Sequence, residues 1–290
     1  MHSRSINARA KKIWTRFSIL QPSPKESESP WEKLCPSDRR WTRLRRVAIR
    51  AKWCVVVPMA NEERDFAPFV TELSRAMDAL GGGRIFLVLV QVSIDRTLEL
   101  ANDLAAKDSR YSVVWAPENR TVVDAYLNGF RAALAGGFDW IIEMDAGLSH
   151  DPSALRFFLE ALESGQECVF GSRFVSGGSM RDSPIQRIAL SRGGSFAARL
   201  LLGSRVCDMT SGFEAFRRDV VENLVAFPLR SQAHFYQTEV RHLARRRKWV
   251  EIPINYRAPS PSVRGASVQN AVGTLLYYTW LRVVGRSPEI

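Results

Sequence analysis

From Trp53 onward the chain alternates short apolar runs with stretches of helical periodicity, and glycine or proline marks most of the junctions. Residues 53–57 read as a strand halted by Pro58, and 66–80 as a helix ended by Gly81-Gly82-Gly83. A buried-type strand (85–90), a helix (97–106), a strand (112–115) and a helix ended by Gly136-Gly137 (122–134) follow. Next come a strand (140–144), a helix with proline in its first turn (152–162) and a strand (168–171). Short strands separated by helices of about 10–15 residues imply βαβ units, hence an α/β fold with a mostly parallel sheet flanked by helices. Ligands bind such a sheet beyond the carboxyl ends of its strands. That rule singles out the loops 58–63, 91–97, 145–152 and 171–178. Past Gly171 the pattern loosens: 185–202 and 232–246 read as helices and 249–256 as a strand. Residues 269–284 are apolar and aromatic with a single charge, Arg282. They are too short to cross a bilayer, so they pack on their own domain, with an interfacial position as the other reading.

The formal net charge of +11 is localised. Residues 1–52 hold 14 Lys and Arg against 4 acids, and the rest of the chain holds 27 against 26. A nucleic-acid groove spread over the fold is therefore excluded, and the charge belongs to an arm that meets an anionic surface. Ile6, Ala10, Ile13, Trp14 and Phe17 recur at helical spacing with Arg9, Lys11, Lys12 and Arg16 between them. That pattern suits a basic helix in a membrane interface, and equally a transit peptide or a solvated tail. The expected organisation is an arm and linker (1–52), a main domain (53–267) and a C-terminal apolar helix (268–290). Four cysteines lie far apart without a C-x-x-C pair, which argues against a zinc ribbon or disulfide framework and suits a reducing compartment.

The loops carry a resemblance. Pro58-Met59-Ala60-Asn61-Glu62 looks like the P-x-x-N-E opening of family 2 glycosyltransferases, and Met144-Asp145-Ala146-Gly147-Leu148-Ser149-His150-Asp151-Pro152 resembles their M-D-A-D-x-S-H-x-P segment. Gly171-Ser172-Arg173-Phe174 with Gly177-Gly178, then Arg187, Ser191 and Arg192, Asp208 to Phe213, and Phe235 to Glu239 continue the set in order. The whole is similar to the dolichol- or polyprenyl-phosphate mannosyltransferase branch.

The resemblance implies a GT-A fold that moves a sugar, with inversion, from a GDP- or UDP-sugar to a polyprenyl or dolichyl phosphate. It implies peripheral association with the cytoplasmic face of a membrane, with or without a membrane-anchoring protein. Pro58, Glu62, Gln91, Asp95 and Asp145 would line the nucleotide-sugar site, and Asp145 would hold Mg²⁺ or Mn²⁺. Arg173, Arg187, Ser191 and Arg192 would grip the acceptor phosphate, whose oxygens suit the planar guanidinium fork. Asp145, Arg173 and Glu239 would be the catalytic set, with a buried pairing role equally open for Glu239. Three places depart from the family. Gly147 replaces the second aspartate of the D-x-D motif, so one carboxylate remains and metal binding should be weak; Glu143, His150 or Asp151 are candidate substitutes. Val90-Gln91 replaces an acidic pair, and Ala60 a tyrosine. A catalytically silent relative that binds nucleotide or lipid phosphate is the rival reading. The loop 257–267 keeps Arg257, Ser260, Ser262, Arg264, Gly265 and Ser267 but not the family's lysine. His234 and His242 read as structural.

Overall fold

The computed structural model describes residues 49–180, 183–233, 235–257 and 265–290. The basic arm before Ile49, His234 and the loop 258–264 lie outside the described residues. Among those described, seven strands form one sheet. They are β1 (Trp53–Met59), β2 (Arg84–Leu89), β3 (Tyr111–Trp115), β4 (Trp140–Glu143), β5 (Cys168–Ser172), β6 (Glu214–Arg217) and β7 (Trp249–Pro253). Eight α-helices accompany them: α1 (Glu63–Leu80), α2 (Thr97–Lys107), α3 (Val122–Ala135), α4 (Leu155–Glu163), α5 (Ile185–Leu202), α6 (Arg218–Ala226), α7 (Tyr236–Leu243) and α8 (Gly265–Val283).

The sheet order is β3-β2-β1-β4-β6-β5-β7. All pairings are parallel except those of β6, which runs antiparallel to both β4 and β5. Strands covered on both faces read as continuous apolar runs. Accordingly one core cluster packs β1 and β2 against α1 and α4, and a second packs the other face against α3, α6 and α7. The sequence reading misses β6 because Glu-Ala-Phe-Arg has no apolar run, yet Glu214 is fully buried there.

Pro58 does not halt β1, which continues to Met59 in register with β2. Val56 accepts from the Met144 amide on the β4 side. Two residues on, the nitrogen of Pro58 faces that same side, beyond the last residue of β4, so its missing N–H breaks no ladder bond. Residues 232–246 form a shorter helix than their periodicity suggests, α7. The C-terminal helix α8 packs beside α5 and puts Tyr278 and Leu281 into the second core cluster. No helix among the described residues is long and apolar enough to cross a membrane.

Candidate active site

Three of the four loops beyond the carboxyl ends of the strands converge. Asn61 is the one described non-glycine residue with positive φ, at 57°, a conformation asparagine tolerates better than most. Its side chain donates to the Val92 carbonyl and accepts from the Ile94 amide, while its amide donates to Ser93 Oγ. Asn61 thereby clamps the loop after β1 to the loop after β2. Asp95 completes the clamp, accepting from Ser93 Oγ, the Thr97 amide and hydroxyl, and the Glu63 amide. Desolvation works against its charge, but these donors hold its carboxyl below the ordinary value. Both oxygens of Asp95 thus serve the loop itself. Gln91 is exposed at the lip, its amide anchored on the Asn119 carbonyl, and Pro58 is buried within β1.

Asp145 follows the end of β4 and is held on both oxygens. The Tyr126 hydroxyl, from α3, donates to Oδ1 at 2.8 Å, and His150 Nε2 lies 3.3 Å from Oδ2. Gly212 passes so close behind that a Cβ there would stand 2.7 Å from Oδ2. Gly147 has φ +78°, and a Cβ on it would stand 3.3 Å from Glu62 Oε2. Glu62 therefore faces the space that a second motif carboxylate would enter. Burial, with Asp65, Asp145 and Asp95 around it, pushes the Glu62 carboxyl up to about 7. Among the described residues no group of three or more His, Cys, Asp or Glu converges to hold a metal ion. The donor set fits at most a cation whose remaining ligands come from a bound phosphate and water. Asp151 has other work: it caps the turn Pro152–Ala154 and pairs with Arg257, which also reaches Glu72 at 2.8 Å.

The arginines gather around two rings. Arg173 sits over Phe174 at 5.2 Å and Tyr256 at 5.6 Å, Arg187 over Tyr256 at 5.8 Å, and Arg192 over Phe174 at 5.7 Å. Arg173 and Arg192 also line a small cavity of about 240 Å³, and Ser191 is half-buried on α5 between Arg187 and Arg192. Arg173 is not a free phosphate fork. Its Nε and Nη2 each bond Asp208 at 2.7 Å and Nη2 also reaches the half-buried Thr210 Oγ1, with Arg173 and Asp208 themselves both buried. The edge of His150 meets Tyr256, with centroids 5.8 Å apart, so one ring links the Asp145 loop to the arginines.

A family model described as Glycosyl transferase family 2 matches residues 54–225, more than half of the chain. This chain is a family 2 glycosyltransferase. Polyprenol monophosphomannose synthase of Mycolicibacterium smegmatis is 32% identical to it over 205 residues, 70% of this chain and 76% of that one. Undecaprenyl-phosphate mannosyltransferase of Micrococcus luteus is 32% identical over 203 residues, 69% of this chain and 82% of that one. The fold is that of glucosyl-3-phosphoglycerate synthase from Mycobacterium tuberculosis in its UDP complex, with a TM-score of 0.60 at 17% identity over 89% of this chain and 86% of that one. A complex of the same enzyme with Mn²⁺, UDP and product gives 0.55 at 15% identity over 91% and 86%. The expected GT-A fold and branch are therefore correct.

Deeper in this glycosyltransferase, the expected site residue Glu239 and the candidate substitute ligand Glu143 are both engaged in buried contacts. Glu239 is fully buried and accepts from the Arg230 and Ser231 amides at 2.8 Å and from the Tyr278 hydroxyl at 2.6 Å. It ties α7 to the loop before it and to α8, which is the pairing role the sequence left open. Glu143 cannot serve as a replacement metal ligand, because it is fully buried under the sheet end with the Tyr236 hydroxyl on its Oε2 at 3.0 Å. Burial pushes the Glu143 carboxyl up, with Glu214 beside it adding to the shift; Glu214 itself is paired with Arg241 at 2.8 Å. Tyr236 stacks on Tyr126, centroids 5.3 Å apart, so the base of Asp145 rests on a buried tyrosine pair. His242 is buried beside Ser287, and burial, then Arg245 and Arg282, pushes it down to about 4. Tyr126 and Tyr256 carry no local signal in the sequence, and the motif residue Asp208 gives none of its pairing with Arg173, since each acts on a partner at least 19 residues away.

Proposed function

We propose that this glycosyltransferase moves a sugar, with inversion, from a nucleotide diphosphate donor to the phosphate of a polyprenyl-type lipid, the acceptor class named in its mannosyltransferase relatives. The observation that carries the reading is Tyr256. Its ring lies between His150, partner of Asp145, and the guanidinium groups of Arg173 and Arg187. A carboxylate suited to the diphosphate side of a donor thus stands one aromatic ring from cations suited to a second phosphate.

In this reading the donor lies over the carboxyl ends of β1, β2 and β4. The exposed side-chain amide of Gln91 meets the base edge, its main-chain N–H being taken by Asn119, and Glu62, Pro58 and the Asp95 loop form the wall. Arg187, Ser191 and Arg192 grip the acceptor phosphate, with Arg173 behind them held by Asp208. One phosphate oxygen forms the new bond to the anomeric carbon as the bond from that carbon to the diphosphate oxygen breaks. A phosphate is already anionic at neutral pH, so no general base is needed, and the loss of acidic side chains at 91 and 147 does not remove a reacting group. What the chain must supply is alignment of two anions and fixed positive charge where the reaction develops negative charge.

Asp145 would hold Mg²⁺ or Mn²⁺, whose charge offsets that of the departing diphosphate; Mn²⁺ accompanies UDP in the glucosyl-3-phosphoglycerate synthase complex. With Gly147 lacking a side chain, Asp145 would be the one motif carboxylate on the ion, which would then depend on phosphate and water for its other ligands and be held weakly. Tyr126 and His150 fix the Asp145 carboxylate in position.

The test combines thermal shift and transfer. UDP- and GDP-sugars are screened with and without Mn²⁺, since a ligand that binds only the native state raises its apparent stability. The stabilising donor is then used, radiolabelled, with polyprenyl phosphate. Label in the organic phase is the expected result. No shift with any donor, or binding without transfer, overturns the proposal, and the second outcome identifies a silent relative.

A further inference from the structure

Between β3 and α3 the chain reads Ala116-Pro117-Glu118-Asn119, and proline at the second place of such a tetrad presets a tight turn. The Asn119 N–H closes it by donating to the Ala116 carbonyl at 3.0 Å. The turn folds Asn119 back onto the end of β2, where its main-chain carbonyl accepts from the Gln91 N–H at 2.7 Å. Gln91 is exposed, yet Asn119 is wholly shut off from solvent. A buried carboxamide needs its donors and its acceptor met.

A directed chain of bonds meets them. The Leu89 carbonyl, on the last residue of β2, can only accept, so it fixes the Asn119 side chain with Nδ2 toward it, at 2.9 Å. Oδ1 then faces the other way and accepts from Nδ2 of Asn128, on α3. Asn128 Oδ1 in turn accepts from Arg131 Nη1 at 2.8 Å. Each amide therefore has one orientation, since turning Asn119 over would set donor against donor and acceptor against acceptor. On the other side of Gln91, Asn61 Nδ2 holds the Val92 carbonyl. The Gln91 main chain is thus locked from both sides, while its side-chain amide has no partner among the described residues. A fixed backbone under a free polar group is what a preorganised recognition contact requires.

We infer that Asn119, supported by Asn128, is the positioning residue of the nucleobase contact: it sets where the Gln91 carboxamide stands, and thereby how sharply uracil and guanine nucleotides are told apart. This rests on the donor placement proposed above. A carboxamide offers a donor on one side and an acceptor on the other, so a small shift of its backbone changes which base edge it matches. The diphosphate belongs to the Asp145 side of the crevice, and its affinity should not follow the latch.

Calorimetry on the full chain with Mn²⁺ measures UDP, GDP and inorganic pyrophosphate. Asn128 is half-buried and borders an open cavity of about 510 Å³, so Asn128→Ala frees the Asn119 side chain without emptying the core. It should weaken the tighter nucleotide by about tenfold and bring the UDP and GDP affinities closer, with pyrophosphate unchanged. Asn119→Ala should repeat that pattern with a lower Tm, because it also leaves the Leu89 carbonyl unpaired. Gln91→Ala should do the same to the nucleotides, and adding Asn128→Ala to it should cost nothing more, since both act through one carboxamide. Unchanged nucleotide affinity in Asn128→Ala and Asn119→Ala overturns the inference. Losses that add in the double variant, or that reach pyrophosphate equally, overturn it in favour of a merely structural role. A Gln91→Ala variant with parental affinities overturns the placement of the base on Gln91, and the inference with it. No binding of either nucleotide by the parent overturns the proposed function itself, so the failures are distinguishable.

Discussion

Replacing Asp208 by asparagine tests how Arg173 is employed. The pair has two 2.7 Å N–H to O contacts, Asp208 is fully buried and Arg173 is 6% exposed. Two unit charges about 4 Å apart interact by about 4 kcal/mol at an effective dielectric constant of about 20. Removing one partner leaves the other charge buried and unpaired, which typically costs about 3–5 kcal/mol. For a chain of this size that lowers Tm by roughly 6–20 °C. Urea denaturation at neutral pH of the parent, Asp208→Asn, Arg173→Met and the double variant gives the coupling directly. The double variant should recover most of the loss, because replacing a buried pair by neutral groups is often close to neutral. The pH dependence has a defined sign. Burial opposes the charge of Asp208, but Arg173 outweighs it and holds its carboxyl below the ordinary 3.8. A depressed carboxyl contributes stability above its unfolded value and loses it as pH falls through the folded one, so parent and Asp208→Asn should converge in acid below about pH 4. A loss under about 1 kcal/mol, the value of a solvent-exposed pair, would refute the reasoning. Arg173 would then be hydrated and available to a phosphate as a full fork.

Three other substitutions address the donor side. Gly147→Asp restores a second motif carboxylate at a φ of +78° beside Glu62, so it should lower stability by about 1–2 kcal/mol in metal-free buffer while tightening Mn²⁺ binding; unchanged calorimetric affinity would count against Asp145 as the ligand. Tyr126→Phe keeps the stack on Tyr236 but frees Asp145 Oδ1, and should lower kcat/KM about 10–100-fold with little change in Tm; full activity would remove Tyr126 from the site. Glu62→Gln removes a carboxyl whose folded value is raised from 4.5 to about 7. A raised carboxyl destabilises as pH climbs through that window, so the variant should be equal to the parent near pH 4 and more stable by about 1–2 kcal/mol above pH 7, after discounting for partial solvent screening; equal Tm values at pH 8 would contradict the raised value.

The strands β1 to β5 are legible in the sequence as short apolar runs set off by turn residues; all but the half-buried edge strand β3 are buried along nearly their whole length, which is what leaves such runs. β6 is not, because its buried Glu214 is tolerated only through Arg241, a partner supplied by α7. The loops that form the site could likewise be found from topology alone, and Asp145 from its position after β4. The neighbours of Asp145 could not. Nothing local to Tyr126 or Tyr256 distinguishes them from core aromatics.

Local order along the chain therefore determined the fold class, the family and which loops meet at the ends of the strands, since periodicity and turn chemistry act between near neighbours. Tertiary structure alone decided which charged residues are spent within the protein. It gave Arg173 to Asp208 and Glu239 to Tyr278, and set Glu62 opposite Gly147. Burial and pairing depend on distances between residues remote in sequence, and those distances exist only once the sheet has formed.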